Sequence, residues 1–159
     1  MILDVDDDPM NRYLWAEIRA GLLPVNHVLS VEQALENATD EQYRLIIIDR
    51  MMLGATVFPE ASEIEVGMLL YKKIRQARPD VPIAILTSYY EGERGREMEM
   101  ADARFRMLAK SDNSDDIIFA LDALVKSVYG DPEDEDEETE DTKHTGAGDD
   151  ESEIAVMTD

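Results

Sequence analysis

The sequence predicts an α/β fold, with five strands in a parallel sheet covered by helices on both faces. Three observations carry this. Short apolar runs alternate with helix-like patterns five times along the chain, as successive βα units do. One run, LIII at residues 45–48, is apolar at every position, as a central parallel strand buried on both sides must be. And 159 residues suffice for one domain with a substantial core.

Residues 1–5 (MILDV) read as the first strand and Pro9 to Gly21 as a helix, with Asp8 at its N-cap and Pro9 at its first position. Met10, Leu14, Ile18 and Leu22 recur at fours and give that helix an apolar face. Residues 25–30 (VNHVLS) form a second strand. Ser30 and Gln33 then have capping-box spacing on SVEQALENA. The run 45–48 ends in Asp49 as the third strand. Residues 50–62, with Gly54 and Pro59, read as a loop, and EVGMLLYKKIRQAR (65–78) as a helix stopped by Pro79. Residues 82–87 (PIAILT) make a fourth strand, 91–103 a polar helix, 105–109 (FRMLA) a fifth strand and 114–129 a closing amphipathic helix.

The net charge of −22 is unevenly placed. Fourteen acidic residues and one lysine give residues 130–159 a net of −13, leaving −9 for the first 129. Residues 1–129 are thus expected to fold, and 130–159 to form a disordered acidic tail. No basic stripe offers itself to a phosphate backbone, so direct nucleic-acid binding is not expected. No run reaches 18 apolar residues and no basic segment precedes the first strand, so neither membrane insertion nor secretion is expected, and the location is read as cytoplasmic. The absence of cysteine excludes disulfides and thiolate metal sites and fits a reducing compartment. Two histidines, His27 and His144, leave little for histidine-based catalysis.

In an open parallel sheet, sites lie beyond the carboxyl ends of the strands. Those ends are Asp6 and Asp7 after the first strand, Asp49 after the third, Thr87 and Ser88 after the fourth and Lys110 after the fifth. Oxygen ligands without sulfur select a hard ion such as Mg2+, which relieves repulsion among the aspartates. A lysine and a threonine beside them suit phosphoryl oxygens. The set reads as phosphoryl chemistry on an aspartate.

ILDVDDDPMNR, LIIIDRMM, IAILTS and MLAKS, in this order and on these strands, resemble the receiver domain of two-component response regulators over about residues 1–129. The resemblance implies a flavodoxin-like, doubly wound sheet of order 2-1-3-4-5. It implies that Asp49 accepts a phosphoryl group from a sensor histidine kinase, a phosphotransfer protein or a small acyl phosphate. Asp7, Asp49 and the Met51 backbone carbonyl would bind Mg2+, and Asp6 would hold a metal-bound water. Lys110 would pair with the phosphoryl group. Thr87 would turn inward to it, relaying the charge to the surface made by the fifth strand and its flanking helices. Such a stand-alone receiver is a signalling phosphoacceptor, not an enzyme with a turned-over substrate, and acts through a downstream protein partner or a second copy of itself.

Four positions depart from the family pattern. Leu53 replaces a usual proline, and residues 53–66 delay Gly67 beyond its usual spacing, as a lid, a partner-selecting loop or a tolerated excursion. Ser111 replaces another proline, which puts the usual cis peptide in doubt. Met107 stands where a switch aromatic is common.

LDVDDD also resembles the first motif of haloacid-dehalogenase-like phosphatases, with Asp4 as nucleophile, Asp6 as general acid, Thr87 and Lys110 in supporting roles and Asp115-Asp116 as the last acidic pair. Against this, Asp115 and Asp116 open a helix, the ordered length leaves no room for a cap, and Asp49 has no role. A third reading is a receiver-like scaffold that acts without phosphorylation. Asp4, inside a central strand on Asp6's face, is either held near water at the strand's edge or favours the phosphatase. His27 is read as structural or exposed.

Overall fold

Five strands pair in parallel in the order β2-β1-β3-β4-β5, with β1 at Ile2–Val5, β2 at Val25–Val28, β3 at Leu45–Asp49, β4 at Ile83–Thr87 and β5 at Phe105–Ala109. The computed structural model describes residues 1–8, 24–54, 56–88 and 90–131. Four helices stand among them: α1 (Val31–Ala38), α2 (Glu63–Ala77), α3 (Gly92–Ala101) and α4 (Ser114–Tyr129). The helix expected at Pro9–Gly21 with its Asp8 cap and Trp15, and the acidic tail from residue 132, lie outside the described residues.

Strand alternation divides the core between the two faces of the sheet. On one face Leu3, Val5, Ile46, Ile48, Ile83 and Ile85 meet α1 through Val31 and Ala34, and α2 through Val66, Leu70 and Ile74. On the other, Ile2, Leu45, Ile47, Ala84 and Leu86 meet α4 through Ile117, Leu121 and Leu124. Both faces of β3 are therefore buried, which explains its unbroken apolar run. Each of its isoleucines contributes about 1.5–3 kcal/mol by burial.

Several boundaries differ from expectation, each for a local reason. β2 stops at Val28 because Ser30 caps α1: its Oγ accepts the Gln33 amide at 3.2 Å. The Gln33 side chain returns to the amide of Leu29 (2.9 Å), one residue before the cap. Helix α2 begins at Glu63, not Glu65, since Ser62 is extended and Glu63 and Glu65 suit the positive end of the helix. β4 begins after Pro82, which has no amide to pair. Helix α3 is shorter than its expected 91–103, running from Gly92 to Ala101, with Glu91 and Asp102 extended at its two ends.

Candidate functional site

Parallel topology brings the carboxyl ends of β1, β3, β4 and β5 to one edge of the sheet. Asp6 follows β1, and its amide still donates to Val28 on β2 at 3.2 Å. Asp49 is the last residue of β3. Lys110 follows β5, with its amide donating to the Thr87 carbonyl at 2.8 Å. Behind Asp49, α2 packs directly on the backbone: the Gly67 amide donates to the Arg50 carbonyl at 3.0 Å. A Cβ on Gly67 would lie 2.5 Å from the Asp49 carbonyl oxygen.

The Lys110 ammonium lies 3.2 Å from Asp49 Oδ2 and 3.3 Å from Asp6 Oδ2, drawing the two carboxylates together. Asp6 Oδ1 accepts the Asp8 amide (2.9 Å), Asp49 Oδ1 the Met51 amide (3.3 Å), and Asp7 Oδ2 the Leu53 amide (3.1 Å). Asp6, Asp7 and Asp49 each offer an oxygen within 4.8 Å of the other two. Asp6 and Asp49 are buried, and Asp7 is half-buried.

Burial pushes the Asp49 carboxyl up to about 6, with Lys110 opposing the rise and Asp6 adding to it. Burial also works against the charge of Lys110, but Asp49 and Asp6 outweigh it and hold the ammonium above its ordinary range. Three carboxylates against one ammonium leave a surplus of two negative charges when all are ionised. That surplus, and ligands that are all hard oxygens, fit a divalent cation of the Mg2+ kind.

The predicted residues are thus largely assembled: Asp6, Asp7, Asp49 and Lys110 meet, and Thr87 is fully buried at the end of β4. Met51 lies in the loop two residues past β3 and is exposed. Asp4 does not join them. It is buried within β1 and hydrogen-bonded to His27 Nδ1 at 2.5 Å, so it is not held near water at the strand's edge as the first of its two readings expects. Asp115 and Asp116 lie in the first turn of α4, exposed. Arg50 has no role assigned by the sequence pattern. It is buried, with Nε 3.4 Å from the Ile64 carbonyl and a guanidinium nitrogen 3.4 Å from Glu91. Its only signal is a charged residue directly after a buried strand.

No protein-family model and no curated protein matches the chain. Solved structures do. A CheY-like response regulator receiver domain protein from Methanospirillum hungatei JF-1 is 20% identical, with 80% of this chain and 94% of that one covered and a TM-score of 0.62. The response regulator TrrA from Thermotoga maritima, solved with Mg2+ and BeF, is 25% identical over 77% of this chain and 96% of that one, with a TM-score of 0.60. A response regulator from Burkholderia pseudomallei, solved with a phosphorylated aspartic acid, calcium and citrate, is 24% identical over 80% of this chain and 69% of that one, at 0.56.

This chain has the fold of a response-regulator receiver domain. Within that receiver fold its departures now have places. Among the described residues no peptide bond is cis, including the one before Ser111. Met107 is buried on β5 beneath Gly95 of α3, where a Cβ would lie 3.2 Å from the Met107 Cβ. Phe105 is buried too, its ring centroid 4.7 Å from that of Tyr71. Among the described residues no helix is long and apolar enough to cross a membrane.

Proposed function

We propose that this chain is a phosphoacceptor receiver in a two-component phosphorelay, with Asp49 as the residue that is phosphorylated. The observation that carries this reading is Lys110 bridging Asp49 and Asp6, with Asp7 completing the carboxylate cluster at the sheet's carboxyl edge. In the proposed step, a carboxylate oxygen of Asp49 attacks the phosphorus of a phosphohistidine on a sensor kinase or phosphotransfer protein. The new P–O bond makes an aspartyl phosphate, and the breaking P–N bond returns its electron pair to the imidazole. A small acyl phosphate can serve instead, with its carboxylate leaving.

Asp6, Asp7, Asp49 and the Met51 carbonyl are the groups proposed to hold Mg2+, which when bound neutralises the carboxylates and the arriving phosphoryl oxygens. Asp49 must be ionised to attack, and with its pKa at about 6 it is so at neutral pH. Lys110, already 3.2 Å from Asp49, would turn to the phosphoryl oxygens as the charge moves there. Thr87, buried at the adjacent strand end, would donate its hydroxyl to the same group. Output would then pass to a downstream protein or a second copy through β5 and its flanking helices. Residues 1–129 would carry this function, with 130–159 a separate acidic tail, in a cytoplasmic setting.

Incubation with acetyl phosphate and Mg2+, followed by intact mass, tests the reading. One added phosphoryl group, lost in Asp49→Asn and on omission of Mg2+, is expected. An unmodified wild type, or a modified Asp49→Asn, overturns it. The phosphatase reading gains nothing from the geometry, since Asp4 is buried and Asp115 and Asp116, exposed in the first turn of α4, are not among the clustered carboxylates.

A further inference from the structure

The loop after β3 reaches across to the carboxylate that follows β1 through a backbone group. Leu53 donates its amide to Asp7 Oδ2 at 3.1 Å, across 46 residues of sequence. Its side chain is 63% exposed, so the residue contributes this N–H and little packing. Proline at this position would have no N–H to give.

The loop that presents this amide is held at several points. Its base is closed by the Met52 amide donating to the Glu63 carbonyl at 3.1 Å, next to a buried Met52 side chain. The Phe58 amide donates to the Gly54 carbonyl (3.1 Å) and the Ala61 amide to the Phe58 carbonyl (3.2 Å), making two successive turns. The first turn is tight, since a Cβ on Gly54 would lie 2.5 Å from the Phe58 carbonyl oxygen. Val57, Phe58 and Ala61 pack against the core, and the Lys73 ammonium sits 5.9 Å above the Phe58 ring. On the other side, Glu32 of α1 accepts from both the amide and the hydroxyl of Thr56, at 3.2 and 3.0 Å. Compact loops whose ends are close and which are packed by their own side chains are frequently functional.

We propose that Leu53, with residues 56–62 behind it, is a clamp on Asp7: the loop, anchored on Glu32 and the core, uses the Leu53 amide to orient the Asp7 carboxylate and so sets the site's affinity for its divalent cation. The inference rests on the proposed phosphoacceptor reading, in which Asp7 is a ligand. A carboxylate with one oxygen fixed by a charge-assisted hydrogen bond leaves its other oxygen fewer orientations to lose when an ion binds. Groups that orient a ligand in this way are worth about 10–100-fold in metal affinity. Leu53 is thus a positioning residue, acting through its backbone.

The test is calorimetric titration of the full chain with Mg2+ alone. Leu53→Ala keeps the amide and should bind as wild type does. Leu53→Pro removes it and should bind about tenfold more weakly. Glu32→Ala loosens the anchor from a distance and should shift binding in the same direction by a smaller factor. Hydrogen exchange adds a readout free of loop substitution: the Leu53 amide should be protected in the wild type and lose that protection in Asp7→Ala. Leu53→Pro binding as tightly as wild type, or Leu53→Ala as weakly as Leu53→Pro, overturns the clamp and leaves the phosphoacceptor reading standing. Should Leu53→Pro fail to fold, unchanged affinity in Glu32→Ala with a freely exchanging Leu53 amide overturns it equally. A wild-type chain that binds no Mg2+ overturns the metal reading of the cluster, and the clamp with it.

Discussion

His27 Nδ1 lies 2.5 Å from Asp4 Oδ2, joining an imidazole to a carboxylate that the register of β1 against β2 sets side by side. Burial raises the Asp4 carboxyl above its usual range, and His27 opposes the rise. Asp4 Oδ1 and His27 Nε2 are buried without a hydrogen-bond partner among the described residues. Removing one member of such a pair strands the other, whereas replacing both with apolar groups removes the desolvation cost as well. Asp4→Ala is expected to destabilise the fold by about 3 kcal/mol. The double substitution D4V/H27L should cost clearly less than either single change. Urea unfolding at pH 7 of Asp4→Ala, His27→Leu and the double variant measures this, and a double variant no more stable than Asp4→Ala would refute it.

The Asp49 carboxyl gives the fold a definite pH dependence. Its pKa rises to about 6 from 3.8, mainly through burial, so the folded chain holds this proton more tightly than the unfolded one. The resulting stability is full below the unfolded value and is lost as pH rises through about 6. Two units correspond to about 3 kcal/mol. Asp49→Asn keeps the side chain neutral throughout, so its advantage over wild type should grow by about that amount between pH 4 and pH 7. Added Mg2+ favours the wild-type carboxylate and should shrink the difference. Urea midpoints across this range, with and without Mg2+, decide it; a gap that stays constant with pH counts against a buried Asp49 carboxyl held above its ordinary range.

Asp6, Asp7, Asp49, Thr87 and Lys110 were legible in the sequence because each stands where an apolar run turns polar. Parallel topology carries those ends to one edge without further information. The Asp4–His27 pair was not legible. It depends on the β1–β2 register, and VNHV is too short and too mixed to fix one. The anchoring of the loop after β3 was hidden for another reason. Its anchors, Leu53 to Asp7 and Thr56 to Glu32, cross 46 and 24 residues and use a backbone amide and a surface glutamate, neither of which leaves a local pattern. Arg50 was passed over because strand periodicity ends at Asp49, where its side-chain direction ceases to be predictable.

Gly67 shows how closely α2 presses on the site. A Cβ there would lie 2.5 Å from both the Asp49 carbonyl oxygen and the Arg50 Cα. Those are backbone atoms, which cannot turn aside as a side chain does. Gly67→Ala is expected to push α2 away from the end of β3 and to destabilise the fold by about 1–3 kcal/mol. The displacement should also register at Asp49, as a large amide shift in the NMR spectrum and slower labelling by acetyl phosphate. A variant as stable as wild type, with the Asp49 amide unmoved, would show that the helix has more room than its packing allows.

Met107 is enclosed between β5 and α3. Where the family resemblance makes a switch aromatic common, β5 carries an unbranched side chain, 2% exposed. Gly95 covers it closely: a Cβ there would meet the Met107 Cβ at 3.2 Å and Sδ at 3.4 Å. Glu99, from the same helix, accepts the Met107 amide at 3.1 Å. A tyrosine in this space has to displace α3 or stay outside. Met107→Tyr is therefore expected to cost about 1–3 kcal/mol by overpacking, whereas Met107→Leu, similar in volume, should cost under about 1.5 kcal/mol. Under the proposed function, the same covering predicts that output depends on movement of α3 as a body, with Met107 held beneath Gly95 and its amide bonded to Glu99. Methyl NMR of Met107 with and without beryllofluoride and Mg2+ tests this. Shifts spread along Gly92–Ala101 with the Met107 rotamer unchanged are expected, and a Met107 methyl that becomes solvent-exposed while α3 stays still would overturn it.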